Sequence, residues 1–86
     1  MASITLTVRY FAAVREALGE GEALNVPAGL TVAELRTSLA GRGGQHGLAL
    51  GPGQRLRVAV NQALADESTV LTADAEVAFF PPVTGG

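Results

Sequence analysis

The chain has no cysteine and no tryptophan, and its six basic residues are all arginine. Without a thiol it can form no disulfide, offer no thiolate to a metal and carry no cysteine nucleophile. Any sulfur it handles must therefore travel on another group. Without lysine it cannot be joined to its own copies through lysine side chains. No apolar run approaches the ~20 residues of a membrane-spanning helix. The opening residues, Met1-Ala2-Ser3-Ile4, show no basic n-region and no cleavage pattern, so the expectation is a cytoplasmic protein that is not exported. The formal charge of −2, with the arginines scattered along the chain, lacks the basic footprint of a nucleic-acid binder. The single histidine, His46, has no carboxylate at ligand spacing and reads as a solvated loop residue, not a metal ligand. Neither a Ser-His-Asp set nor a catalytic carboxylate pair can be assembled, so the chain alone does not read as an enzyme.

What is present is a core of ordinary size for one small domain. Of the 86 residues, 48% are hydrophobic. A chain of this length buries roughly 60–65% of its unfolded surface and reaches a stability on the order of 5 kcal/mol.

Residues 3–10 alternate strictly, with Ile4, Leu6, Val8 and Tyr10 on one face, which predicts a half-buried strand. Phe11, Val14 and Leu18 then follow helical spacing, and Gly19 and Gly21 end that short helix. Leu24 and Val26 predict a second strand beside the first. Thr31-Val32-Ala33-Glu34 is a capping box: the Thr31 hydroxyl accepts from the Glu34 N–H while the Glu34 carboxylate reaches back to Thr31. Val32, Leu35 and Leu39 give that helix its apolar stripe. Residues 41–54, rich in glycine, read as a long surface loop with one helical turn near His46. Gly41-Arg42-Gly43-Gly44 lacks the Lys-Ser/Thr of a phosphate loop and is discarded as one. Leu56, Val58 and Val60 predict a central strand, Asn61-Gln62 a turn, Ala63-Leu64 a short return strand and residues 76–80 the last strand. Asp66, Glu67, Asp74 and Glu76 form an acidic stretch read as solvated. Periodicity predicts an α+β fold with a mixed sheet on one main helix.

The most specific feature is the end of the sequence, Phe79-Phe80-Pro81-Pro82-Val83-Thr84-Gly85-Gly86. Strand phase sends Phe79, with Val77, toward the core and Phe80, with Ala78, outward. The two prolines hold φ near −65° and favour an extended stalk. Two glycines without side chains fit a narrow channel and adopt whatever backbone geometry it imposes. The organisation expected is a domain over residues 1–80 and an extended tail over residues 81–86, with the Gly86 carboxylate as the working group.

This tail resembles that of the small, sulfur-carrying subunits of molybdopterin synthase, a ubiquitin-like β-grasp family. The resemblance extends to Tyr10-Phe11-Ala12-Ala13-Val14-Arg15-Glu16, to Thr31-Val32-Ala33-Glu34-Leu35 and to Val60-Asn61-Gln62-Ala63-Leu64. It implies the β-grasp plan, with first and last strands side by side. It also implies that an E1-like adenylating enzyme uses ATP to activate Gly86, that a persulfide donor protein converts it to a thiocarboxylate, and that no cofactor is stably bound. Docking on the large synthase subunit, in a heterotetramer, is implied through Phe11, Leu64 and Phe80, with Pro81, Pro82, Val83, Thr84 and Gly85 entering its active site. There the sulfur passes to cyclic pyranopterin monophosphate. A carrier for a thiamin-type pathway, or a ubiquitin-like modifier of other proteins, shares the activation step and stays open from sequence.

Overall fold

The computed structural model describes residues 2–82. In chain order the elements are β1 (Ser3–Tyr10), α1 (Ala12–Leu18), β2 (Gly21–Pro27), β3 (Leu30–Thr31), α2 (Val32–Ala40), α3 (Gly44–Leu50), β4 (Arg57–Val60), β5 (Ala63–Ala65), β6 (Val70–Leu71) and β7 (Ala75–Phe80).

β1 buries Ile4, Leu6, Val8 and Tyr10 and exposes the residues between them, as its alternation predicts. β2 returns antiparallel along one side, with Leu24 opposite Leu6 and Val26 opposite Ile4. Gly21 starts β2 at a φ of +149°, and a Cβ there would run into the Val8 carbonyl, so the close approach needs glycine. β7 lies parallel to β1 on its other side, with Val77 opposite Val8 and Phe79 opposite Tyr10. The main sheet has the order β2-β1-β7-β4-β5, placing first and last strands together at its centre. The β4–β5 hairpin turns through Asn61 and Gln62 at φ of 50° and 69°. Both are left-handed, which suits the twist of a two-residue hairpin.

One face of the sheet carries the helices. α2 lays Val32, Leu35 and Leu39 into the core beside Leu6, Val8, Val77 and Phe79. The capping box at its start is formed: Glu34 N–H donates to Thr31 Oγ1 at 3.1 Å, and Thr31 N–H donates to the Glu34 carboxylate at 2.9 Å. The next two helix donors meet the chain crossing from β5 to β6, with Val32 N–H on the Thr69 carbonyl at 3.0 Å and Ala33 N–H on the Glu67 carbonyl at 2.9 Å. The Asp66 carboxylate accepts from both the hydroxyl and the N–H of Ser68, which fixes that crossing. This is the β-grasp plan of ubiquitin-like proteins, α+β with one mixed sheet.

Two features depart from the sequence reading. Residues 41–54 contain a two-turn helix, α3, which buries Leu50 and packs Ala49 against the core. Its glycines lower intrinsic helix propensity, and packing against α1 and α2 supplies what propensity does not. The segment before β7 also holds a strand, β6, which pairs with β3 through Leu71 opposite Leu30 and Val70 opposite Thr31.

Candidate functional site

The open face of the sheet is built by register. Arg9, Ala78, Ala59 and Leu64 form one row across β1, β7, β4 and β5. Phe80 stands in the next row opposite Arg57, and the Phe11 N–H continues the ladder by donating to the Phe79 carbonyl at 3.2 Å. Side chains two residues apart share a face, so Phe11, Phe80 and Leu64 all rise on the open side. Ala78 and Ala59 lie between them as a flat apolar floor, paired on adjacent strands about 5 Å apart. Leu64 is 70% exposed and Phe11 39% exposed. Phe80 is half-buried, less open than strand phase alone suggests, and Pro81 and Pro82 are half-buried with it. Phe79, one residue away, is 1% exposed in the core, as phase predicts.

Ala12 makes the corner that separates the two faces. Its φ of +53° turns the chain between Phe11, still extended and outward, and Val14, buried under α1. Phe11 was therefore misplaced on the apolar stripe of α1: it caps that helix and belongs to the sheet face. The Arg9 guanidinium sits 5.7 Å from the Phe11 ring centroid and 3.5 Å from the Glu76 carboxylate, a cation–π contact and an ion pair at the rim.

Val83, Thr84, Gly85 and Gly86, expected to enter a partner, lie outside the described residues. The described chain leads up to them: β7 ends at Phe80, and Pro81 lines a groove of about 260 Å³ between α1 and α3.

The acidic stretch is not simply solvated. Glu67 lies 3.4 Å from Arg36, Glu76 pairs with Arg9, and Asp74 accepts the Thr5 N–H at 2.8 Å. The Ser68 hydroxyl and N–H hold the Asp66 carboxyl below its ordinary range. His46 is also not a loop residue. It sits on α3 with Nε2 3.7 Å from the Glu22 carboxylate, which accepts from Arg42 at 2.8 Å and from the Tyr10 hydroxyl at 3.3 Å. Burial first, then the negative Glu22, pushes the Tyr10 phenol up to about 12, against a smaller opposing effect of Arg42. This cluster joins β1, β2 and α3 through residues far apart in sequence, which no local pattern reveals. Among the described residues, no three His, Cys, Asp or Glu side chains come together as a metal site. No described helix is long and apolar enough to cross a membrane.

Known proteins resemble this chain in sequence and fold. The ThiS family matches residues 8–86. A molybdopterin synthase sulfur carrier subunit of Escherichia coli is 46% identical over 82 residues, covering 94% of this chain and 99% of that protein. Among solved structures, a complex of subunits 1 and 2 of the molybdopterin-converting factor of Helicobacter pylori matches at 27% identity with a TM-score of 0.62, covering 96% of this chain and all of the matched one. SAMP1 of Haloferax volcanii matches at 25% identity and a TM-score of 0.72, covering 95% of this chain and 99% of that one. The shared length, the β-grasp sheet and the near-complete coverage together show that the chain belongs to the ThiS family, with molybdopterin synthase sulfur carrier subunits among its relatives.

Proposed function

We propose that this chain is the sulfur carrier subunit of a molybdopterin synthase, working in the cytoplasm as a non-catalytic partner of the large subunit. The observation that carries this reading is the 46% identity, over nearly the whole of both chains, to a protein of that name. The complex of subunits 1 and 2 from Helicobacter pylori supports a large-subunit partner. The flat face around Ala78 and Ala59, bordered by Phe11, Leu64 and Phe80, suits docking at the base of the tail.

The chemistry follows from the terminal group. A free carboxyl with a pKa of about 3.5 is an anion at neutral pH and resists nucleophilic attack. In the proposed route an E1-like enzyme lets the Gly86 carboxylate attack the α-phosphorus of ATP, releasing pyrophosphate and leaving an acyl adenylate. The terminal sulfur of a donor persulfide then attacks the acyl carbon and AMP departs. A second thiol cleaves the resulting acyl disulfide, which yields the thiocarboxylate and an oxidised donor. The tail enters the large subunit, in a heterotetramer, and the thiocarboxylate delivers its sulfur to cyclic pyranopterin monophosphate. No cofactor need be held by this chain.

Intact mass after incubation with the activating enzyme, ATP and a sulfur donor tests the route. Exchange of one oxygen for sulfur, followed by molybdopterin formation with the large subunit, is the expected outcome. A covalent adduct with another protein would favour the modifier reading. A thiocarboxylate that the synthase does not consume would favour another carrier pathway.

A further inference from the structure

The root of the tail has two sides. Phe80 rises on the open face of the sheet, whereas Pro81, next in the chain, lines the groove on the helical side. That groove is walled mainly by Ala13, Ala17, Leu48, Leu56 and Pro81, with Gln45, Gln54 and one charged residue, Arg55, also in its lining. Leu48 is 68% exposed, nearly as open as Leu64. The fold does not need an apolar residue there, because Ala49 and Leu50 already anchor α3 to the core. Four of the six arginines form ion pairs, but Arg55 and Arg57 have no ion-pair partner among the described residues. They flank the root of the tail: Arg57 stands opposite Phe80, and Arg55 stands in the groove with Pro81.

We propose that this groove is a second seat for the large synthase subunit, receiving an apolar side chain with a carboxylate beside it that pairs with Arg55. The proposal rests on the reading that the large subunit takes up the tail. A channel that admits the tail must close around its root to exclude water from the reaction. A partner lying on the open sheet face alone covers the Phe80 side and leaves the Pro81 side bare. The groove is continuous with that face through residues 80 and 81, so one partner surface reaches both. Its apolar walls select an apolar insert, and its unpaired cation selects a negative charge.

Binding to the purified large subunit tests this with four chains: wild type, Leu48→Glu, Arg55→Glu and, on the open face, Leu64→Arg. Thermal melts should match wild type, since all three positions are exposed. The expected result is a loss of affinity of at least about tenfold for each groove variant, with the Arg55→Glu loss shrinking at high salt. Adenylation by the activating enzyme should proceed at the wild-type rate. Arg55→Gln, on a loop, keeps the test decisive if Leu48→Glu melts low. Normal affinity in the groove variants, with Leu64→Arg weakened, would remove the groove from the interface and leave the carrier reading intact. Normal affinity in all three would overturn the docking face and the groove together. Groove variants that bind the large subunit normally but are adenylated slowly would assign the groove to the activating enzyme, against this proposal.

Discussion

Arg36 Nε donates a 2.7 Å hydrogen bond to the Leu50 carbonyl, so a side chain on α2 closes the last turn of α3. The same guanidinium donates through Nη2 to the Gly51 carbonyl at 3.1 Å and the Gln54 carbonyl at 2.6 Å, and its Nη1 lies 3.4 Å from Glu67. A planar cation with five fixed donors satisfies several carbonyls at once, and its charge suits the negative end of a helix. Arg36 thus holds the glycine-rich segment to α2, and with it the helix that supplies one wall of the α1–α3 groove.

Replacing Arg36 with lysine should therefore not be conservative. One ammonium cannot reproduce a fork that reaches three carbonyls. A loss of about 1–3 kcal/mol is expected, with the Lys side chain recovering only part of what alanine would forfeit. Hydrogen exchange should quicken in residues 47–54 before it quickens in β1 or β7. Uniform quickening across the chain would mean that Arg36 supports the whole fold and not that segment alone.

The same contacts explain what the sequence made legible. The alternation of β1, the Thr31–Glu34 capping box and the opposite phases of Phe79 and Phe80 depend on residues a few positions apart, and all three stand in the structure. α3 depends on Arg36, which lies 14 residues before Leu50, and on Leu50 reaching a core built elsewhere. β3 and β6 have two residues each, too few to show a period. The Tyr10–Glu22–Arg42–His46 cluster forms only when separate elements meet. On the candidate face, Phe11, Leu64 and Phe80 were named from the family resemblance and from phase. Phase also sends Ala78 outward, but its pairing with Ala59 into one floor is not legible in the sequence, because that needs the β4–β7 register, which no local pattern gives.

Phe79→Ala and Phe80→Ala should separate stability from docking. Phe79 is 1% exposed within the central cluster, so its truncation should cost about 3–5 kcal/mol, most of a total on the order of 5 kcal/mol. Phe80 is half-buried on the open face and should cost only about 1 kcal/mol on folding, yet weaken binding to the large subunit. Thermal melts paired with affinity measurements decide this. A Phe80 variant that melts below the Phe79 variant would reverse the assignment of faces.

Tyr10 makes the fold sensitive to alkali. Its phenol is pushed up to about 12, above the ordinary value of 10.0, because burial and the negative Glu22 favour the neutral form. The native state therefore holds this proton more tightly than the unfolded chain. The resulting stability is fully present below pH 10 and is lost as pH rises toward about 12. Tyr10 is the chain's single tyrosine, so the absorbance of tyrosinate reports on it alone. Its appearance should coincide with loss of circular dichroism. Tyr10→Phe should flatten the stability profile above pH 10 while losing about 1 kcal/mol at neutral pH with the hydroxyl's hydrogen bond. Tyrosinate forming near pH 10 in a chain that stays folded would contradict this account.

The last expectation concerns the tail, and it separates fold from function most sharply. The buried cluster runs from Ile4 to Phe79, so changes at Gly85 or Gly86 should leave the melting temperature at its wild-type value. Gly85→Val adds β-branched bulk and narrows φ and ψ where, on the proposed route, a slender chain enters the synthase. A displacement of about 1 Å at a reacting centre can cost about 100-fold in rate, so sulfur transfer to the pterin should fall by at least that factor. Adding one residue after Gly86 should abolish adenylation altogether, because the activated carboxylate would belong to a different residue. Single-turnover transfer assays with thiocarboxylated Gly85→Val separate the two steps. Normal transfer by that variant would mean that the channel tolerates a branched side chain. Molybdopterin formation by the extended chain would show that the Gly86 carboxylate is not the group that carries the sulfur.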